Sequence, residues 1–182
     1  MIPVFIEIHG EQTLETAEDR RPDVHSFRVS GKLWRAHDCY KITYREPEET
    51  GAENTVTTIT VLREHAVSVN RVGYLNAGMI FEEGVPHVCV YDAGFLQLQV
   101  TLRTHQLTQT FSESGGCIDI DYSIEIGGRS EGRNRLMITV TPAVPPAHKP
   151  RGRDKDDETA SPAQMPRGDL RDDIPKTKRR DG

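Results

Sequence analysis

Along residues 55–140, apolar and polar side chains alternate in short runs separated by turn residues. The clearest run is Cys117 to Ile126. There Ile118, Ile120, Tyr122, Ile124 and Ile126 alternate with Asp119, Asp121, Ser123 and Glu125. A period of two is that of a β-strand with one buried and one solvated face.

The same pattern predicts strands through most of the chain. Pro3 to Ile8 is the first, and Gly10 ends it. Residues 11–23 are polar and read as a loop, since a helix at Leu14 to Asp19 is too short and too charged to stand alone. His25 to Arg35 follows, with Phe27, Val29, Gly31 and Leu33 on one face, and Gly31 suggests a bend or bulge. Cys39 to Arg45 places Tyr40, Ile42 and Tyr44 on one side. Glu46 to Asn54 is a polar loop, and Thr55 to Arg63 is a β-branched strand. A turn at Glu64-His65 leads to Ala66–Val72. Tyr74 to Gly78 reads as a connection, before a short strand at Met79 to Glu82. Pro86 to Tyr91 and Phe95 to Arg103 pair across Asp92-Ala93-Gly94, and His105 to Ser112 is the next strand. Gly115-Gly116 and Gly127-Gly128 read as hairpin turns flanking the 117–126 strand, and Leu136 to Thr141 comes last.

Roughly ten strands with no convincing helix predict an all-β fold. Nearly sequential hairpins favour a single antiparallel up-and-down β-barrel of about 8–10 strands, because closure removes exposed edges. From Pro142 the texture changes to proline and charge, with almost nothing to bury. The expected organisation is a barrel domain over 1–141 and a disordered tail over 142–182.

Charge sharpens this division. Residues 1–140 hold 13 Lys and Arg against 20 Asp and Glu, whereas the last 42 residues hold 10 against 8. An acidic folded part speaks against a nucleic-acid-binding face, which needs basic side chains for the phosphates. Three cysteines without a CxxC pair (Cys39, Cys89 and Cys117) suit free thiols in a reducing compartment. The run Ile2 to Ile8 has no basic flank and carries Glu7, so neither a signal peptide nor a membrane span is expected. Cytoplasm is the default location.

Certain stretches carry a resemblance. They are Tyr44 to Glu46, Glu49 to Thr57, Arg71-Val72-Gly73, Met79 to Gly84, and Gly115-Gly116 ahead of an alternating strand containing Tyr122. In order and spacing residues 44–140 resemble the YwiB family of small bacterial proteins, a domain of unknown function. The resemblance implies a lipocalin-like (calycin) β-barrel and no established activity. One turn departs: where the family tends to a Thr-Pro-Tyr-Gly sequence, this chain has Ala93-Gly94-Phe95-Leu96.

No catalytic set is legible: there is no GxSxG, no phosphate-cradling glycine loop and no framed carboxylate pair. The chain therefore reads more as a binder than as an enzyme, and no cofactor is implied. Arg71 shares a face with Val67 and Val69, so it points inward if they do. An inward guanidinium can grip a ligand carboxylate or phosphate. The commoner role is a structural ion pair, here with Glu82 or Glu83. His87, Cys89 and Tyr91 share a face, but their spacing lacks the signature of a metal site, and a barrel lining of mixed polarity fits better. Cys39 and Cys117 are expected to pack. The acids Glu46, Glu48, Glu49 and Glu53 are expected to be solvated loop residues, and so are Asp119, Asp121 and Glu125 on an outer strand face. The basic run at 175–180 reads as a tail end.

Two functions follow. The first is a barrel holding a small ligand in its mouth or interior, through Arg71, His87 and Tyr91, with Tyr44 and Phe81 as walls. The alternative is a protein-interaction module with a filled barrel. Plugging by Tyr40, Tyr44 and Tyr122 would exclude the first.

Overall fold

The structure, a computed structural model, describes residues 1–14, 21–62 and 66–143. Ten strands follow one another. They are β1 (Ile2–Leu14), β2 (Asp23–Ala36), β3 (Cys39–Arg45), β4 (Val56–Leu62), β5 (Ala66–Val72), β6 (Asn76–Glu82), β7 (Pro86–Asp92), β8 (Gln97–Ser112), β9 (Gly115–Ile126) and β10 (Arg129–Pro142). Each pairs antiparallel with its chain neighbours, and β1 pairs with β10 to close the barrel. The up-and-down architecture is the one the alternation predicts. The expected tail (from residue 144 on), residues 15–20 and the Glu64-His65 turn lie outside the described residues.

Alternation sorts the side chains. Val4, Ile6, Leu33, Ile42, Val67, Phe81, Ile118, Ile120 and Val140 all point inward and are buried. Each large apolar side chain so buried contributes roughly 1.5–3 kcal/mol. On the outer face Arg135 grips Asp119 with two bonds of 3.0 and 2.7 Å, and Arg133 grips Asp121 with two of 2.7 Å. Arg103 pairs with Glu125. These carboxylates are therefore paired rather than solvated. The arginine bonds hold Asp119 and Asp121 below the usual carboxylate range. Such exposed pairs add little stability singly, but cross-strand pairing helps fix the register of β8, β9 and β10.

Several expected boundaries are corrected. β1 does not end at Gly10; flanked by β2 and β10, it carries Glu11, Gln12 and Thr13 in the ladder as far as Leu14. A polar segment remains a strand when both edges are hydrogen-bonded. The two strands expected over 95–103 and 105–112 are one, β8, which starts at Gln97 rather than Phe95 and has a register shift between Thr104 and Gln106. That shift moves the inward phase from Val100 and Leu102 to Leu107, which is why the pattern read as two strands. β6 begins at Asn76, inside the expected connection.

Two glycine expectations also change. Pairing runs unbroken past Gly31, so there is no bulge there. Gly31 is needed for close approach, since a Cβ would lie 2.5 Å from Ile6 Cδ1 and 2.6 Å from the Thr43 carbonyl. Gly115 and Gly116 open β9, while the turn is made by Glu113 and Ser114. A Cβ on Gly116 would meet the Thr110 carbonyl oxygen at 1.8 Å.

Gly116→Ala should therefore cost more than about 2 kcal/mol in urea unfolding. Gly78→Ala should be neutral or stabilise by up to about 1 kcal/mol. Its Cβ would meet only Asn70 Oδ1, at 3.7 Å. Equal losses at both positions would contradict this account of the glycines.

Candidate ligand site

Three strands place one polar row on the inner wall. Tyr44 on β3 stands opposite Thr57 on β4, and Thr57 stands opposite Arg71 on β5. Arg71 in turn faces Ala77 on β6, which faces Tyr91 on β7. The inward phase of β3, carried by Ile42 and Tyr44, continues one step past the strand to Glu46. The Glu46 N–H donates to the Thr55 carbonyl at 2.9 Å, so its side chain stays in the barrel.

Glu46 was expected to be solvated, and its side chain is wholly buried. Glu48, Glu49 and Glu53 are exposed, as a loop composition implies. Glu46 Oε1 accepts from Thr57 Oγ1 and lies 3.4 Å from Arg71 Nε. Arg71 thus has the structural ion pair considered for it, but with Glu46. Glu82 instead meets His87 Nε2 at 3.0 Å, and Glu83 accepts from the Leu107 N–H. The 3.4 Å contact lacks hydrogen-bond alignment, so Arg71 Nε and Glu46 Oε2 both remain without a hydrogen-bond partner.

Beside this row lies a cavity of about 480 Å³. Ile59, Val69, Met79, Phe81 and Ile138 form its apolar wall. Tyr44, Tyr91 and Tyr122 line it without plugging it, and Tyr40 is absent from the lining, its ring instead 5.9 Å from that of Phe111. Phe81 and Tyr122 meet edge-to-face at 5.0 Å. Asn134, on β10, also lines the cavity. It is buried, and its Nδ2 has no partner. At the mouth stand Gln12, His25, Glu49 and Thr50. The last two belong to a 3₁₀ turn, Glu48–Thr50, that follows Pro47.

Burial shapes the hydroxyls. It raises Tyr44 well above the ordinary tyrosine range, and the neighbouring Glu46 charge adds to the rise. Burial likewise pushes Tyr122 up to about 12 and raises Tyr91. All three present neutral hydroxyls at ordinary pH, and the Tyr91 hydroxyl donates to Met79 Sδ.

Of the five expected contacts, Arg71, Tyr91, Tyr44 and Phe81 come together around the cavity, and His87 is not in its lining. Cys89 is buried, Cys39 Sγ donates to the Ala36 carbonyl at 3.1 Å, and Cys117 is exposed rather than packed. Its place on the outer phase of β9, beside Asp119 and Asp121, explains that. Among the described residues, no three His, Cys, Asp or Glu side chains gather as a metal site. Glu46 and Asn134 were missed. The signal for both was phase: Glu46 continues Tyr40-Ile42-Tyr44, and Asn134 precedes Leu136-Ile138-Val140 at the same spacing.

A family model described as a domain of unknown function, DUF1934, matches residues 6–138. In structure the chain is similar to the ywiB protein from Bacillus subtilis, with a TM-score of 0.68 and 20% sequence identity. That match covers 79% of this chain and 93% of the other. At such identity the likeness speaks for the fold alone. No curated protein matches the sequence.

The buried tyrosines give a pH test. The folded chain holds the Tyr122 proton up to about pH 12, while the unfolded chain releases it from about 10. This stabilisation is whole below the unfolded value and is lost as the pH rises through the folded one. Stability should fall by about 1.4 kcal/mol per pH unit for each such tyrosine above about pH 10. Urea unfolding across that range should show a shallower fall for Tyr122→Phe than for the unaltered chain. An identical slope would contradict the burial account.

Proposed function

We propose that this chain, which belongs to the DUF1934 domain family, is a non-enzymatic binder of a small amphipathic molecule held inside its barrel. The observation that carries the reading is the 480 Å³ cavity, which has apolar walls and two unpartnered donors, Arg71 Nε and Asn134 Nδ2, on its lining residues. Ligand pockets are commonly of this size, mostly apolar, with a few polar groups that orient the guest. A buried donor without a partner is costly, roughly 1–3 kcal/mol each, and a guest acceptor removes that cost. Arg71, Tyr44, Tyr91 and Phe81 are the contacts proposed from the sequence, and Asn134 joins them. This is the ligand mode of a lipocalin-like barrel. The reading places the protein in the cytoplasm, in keeping with three free cysteines. Among the described residues no helix is long and apolar enough to cross a membrane.

One observation favours the interaction-module alternative. On the outside of β6 and β7, Ile80, Val88 and Val90 are exposed without an intervening charge. Such a face suits a protein partner.

The two readings separate with an uncharged fluorescent probe, N-phenyl-1-naphthylamine. The unaltered chain should enhance its emission saturably. Ile124→Trp, which fills the cavity wall, should weaken binding by about tenfold or more. Val88→Trp, on the outer face, should leave it unchanged. Loss with Val88→Trp and not with Ile124→Trp would overturn the interior reading.

A further inference from the structure

The charge inside the barrel decides what kind of guest it accepts, and this step rests on the interior-binding reading above. Arg71 is the one cationic side chain on the inner row from Tyr44 to Tyr91, and the wholly buried side chain of Glu46 lies beside it at 3.4 Å. Thr57 Oγ1 donates to the same carboxylate oxygen and holds it in place. The pair brings no net charge to the cavity. Among the described residues, Glu11, Glu49 and Arg135 are the charged groups at the mouth, with His25 beside them. Arg135 is already held by Asp119 through two bonds, and His9 approaches Glu11 at 3.1 Å. Among the described residues, Arg135 is the one Lys or Arg at this entrance and it is already paired, while Glu49 adds a negative charge.

An anionic head group reaching Arg71 would place a second negative charge against a guanidinium that Glu46 has already neutralised. Away from water that repulsion is poorly screened. An ammonium head would meet the converse problem at Arg71. An uncharged carbonyl or hydroxyl oxygen meets neither. It can accept from Arg71 Nε or from Asn134 Nδ2, the unpartnered donors on cavity-lining residues. We propose that Glu46 is a specificity-determining residue: by neutralising Arg71 inside the barrel, it sets the cavity to take uncharged amphiphiles bearing a carbonyl or hydroxyl oxygen and to reject fatty carboxylates.

The test uses three guests of one chain length: decan-1-ol, decanoate and decylammonium. Calorimetry at about pH 8 keeps the second ionised and the third protonated. The full chain should bind decan-1-ol and reject both ions. Glu46→Gln keeps the shape and the Thr57 bond but frees the Arg71 charge. It should raise decanoate affinity relative to decan-1-ol by about tenfold or more. Arg71→Gln leaves the Glu46 charge alone and should raise decylammonium relative to decan-1-ol to a similar extent. Either variant suffices if the other does not fold, as judged by its circular dichroism. A folded variant that binds decan-1-ol with its ion preference unmoved overturns the role of Glu46, and so does an unaltered chain that prefers decanoate. Both of those results leave the interior-binding reading standing. If the unaltered chain binds none of the three guests and also fails with the naphthylamine probe, the interior reading itself falls, and this inference falls with it.

Discussion

The pairing of β1 with β10 is the constraint on which the rest depends. It runs from Val4 opposite Pro142 to Leu14 opposite Gly132, while β1 also pairs with β2 from Ile2 opposite Leu33 to Gln12 opposite Asp23. Without it the ten strands would form an open sheet with two bare edges, a template for aggregation. With it, every strand has an inside and an outside, and strict alternation becomes the rule for where a side chain can go. The price is steric: Gly115, Gly116 and Gly132 stand where backbones crowd too closely for a Cβ.

Closure explains how a polar row can sit inside an apolar barrel. Residues on adjacent strands in matching phase must share the interior, so Tyr44, Thr57 and Arg71 meet because the register aligns them. An enclosed ion pair gives weak support for stability, because desolvation of two charges offsets much of their attraction. Here the Glu46–Arg71 pair is incompletely hydrogen-bonded as well. A well-packed apolar set could fill the same space, as Ile6, Leu33, Ile42 and Val67 do elsewhere in the interior. On the proposed reading, the row is something the barrel holds for binding rather than something that holds the barrel.

The fold was legible because alternation is a local property. The inward phases of β2, β3, β5, β7 and β9 follow directly from their own residues. What failed was whatever depended on a neighbour. β1 continues through Glu11 and Gln12 only because two partners flank it, and β8 survives its shift at His105 only because β9 pairs across it. The Gly115-Gly116 pair looked like a turn because glycine is ambiguous between a tight turn and a tight approach. The site was half legible. Arg71 and its face could be read from Val67 and Val69, but its partner was sought nearby in Glu82 and Glu83. Glu46 was hidden by composition: a glutamate between Arg45 and Pro47 at the head of an acidic loop looks solvated unless the phase of β3 is carried past its end.

The central claim is that the guest sits inside. The most direct test is methyl-detected NMR of the chain during titration with N-phenyl-1-naphthylamine. The account expects shifts at the inward methyls of Ile8, Ile59, Val69, Met79, Ile124 and Ile138, all of which line the cavity. Shifts confined to the outward methyls of Ile80, Val88 and Val90, with the inward set unmoved, would contradict it.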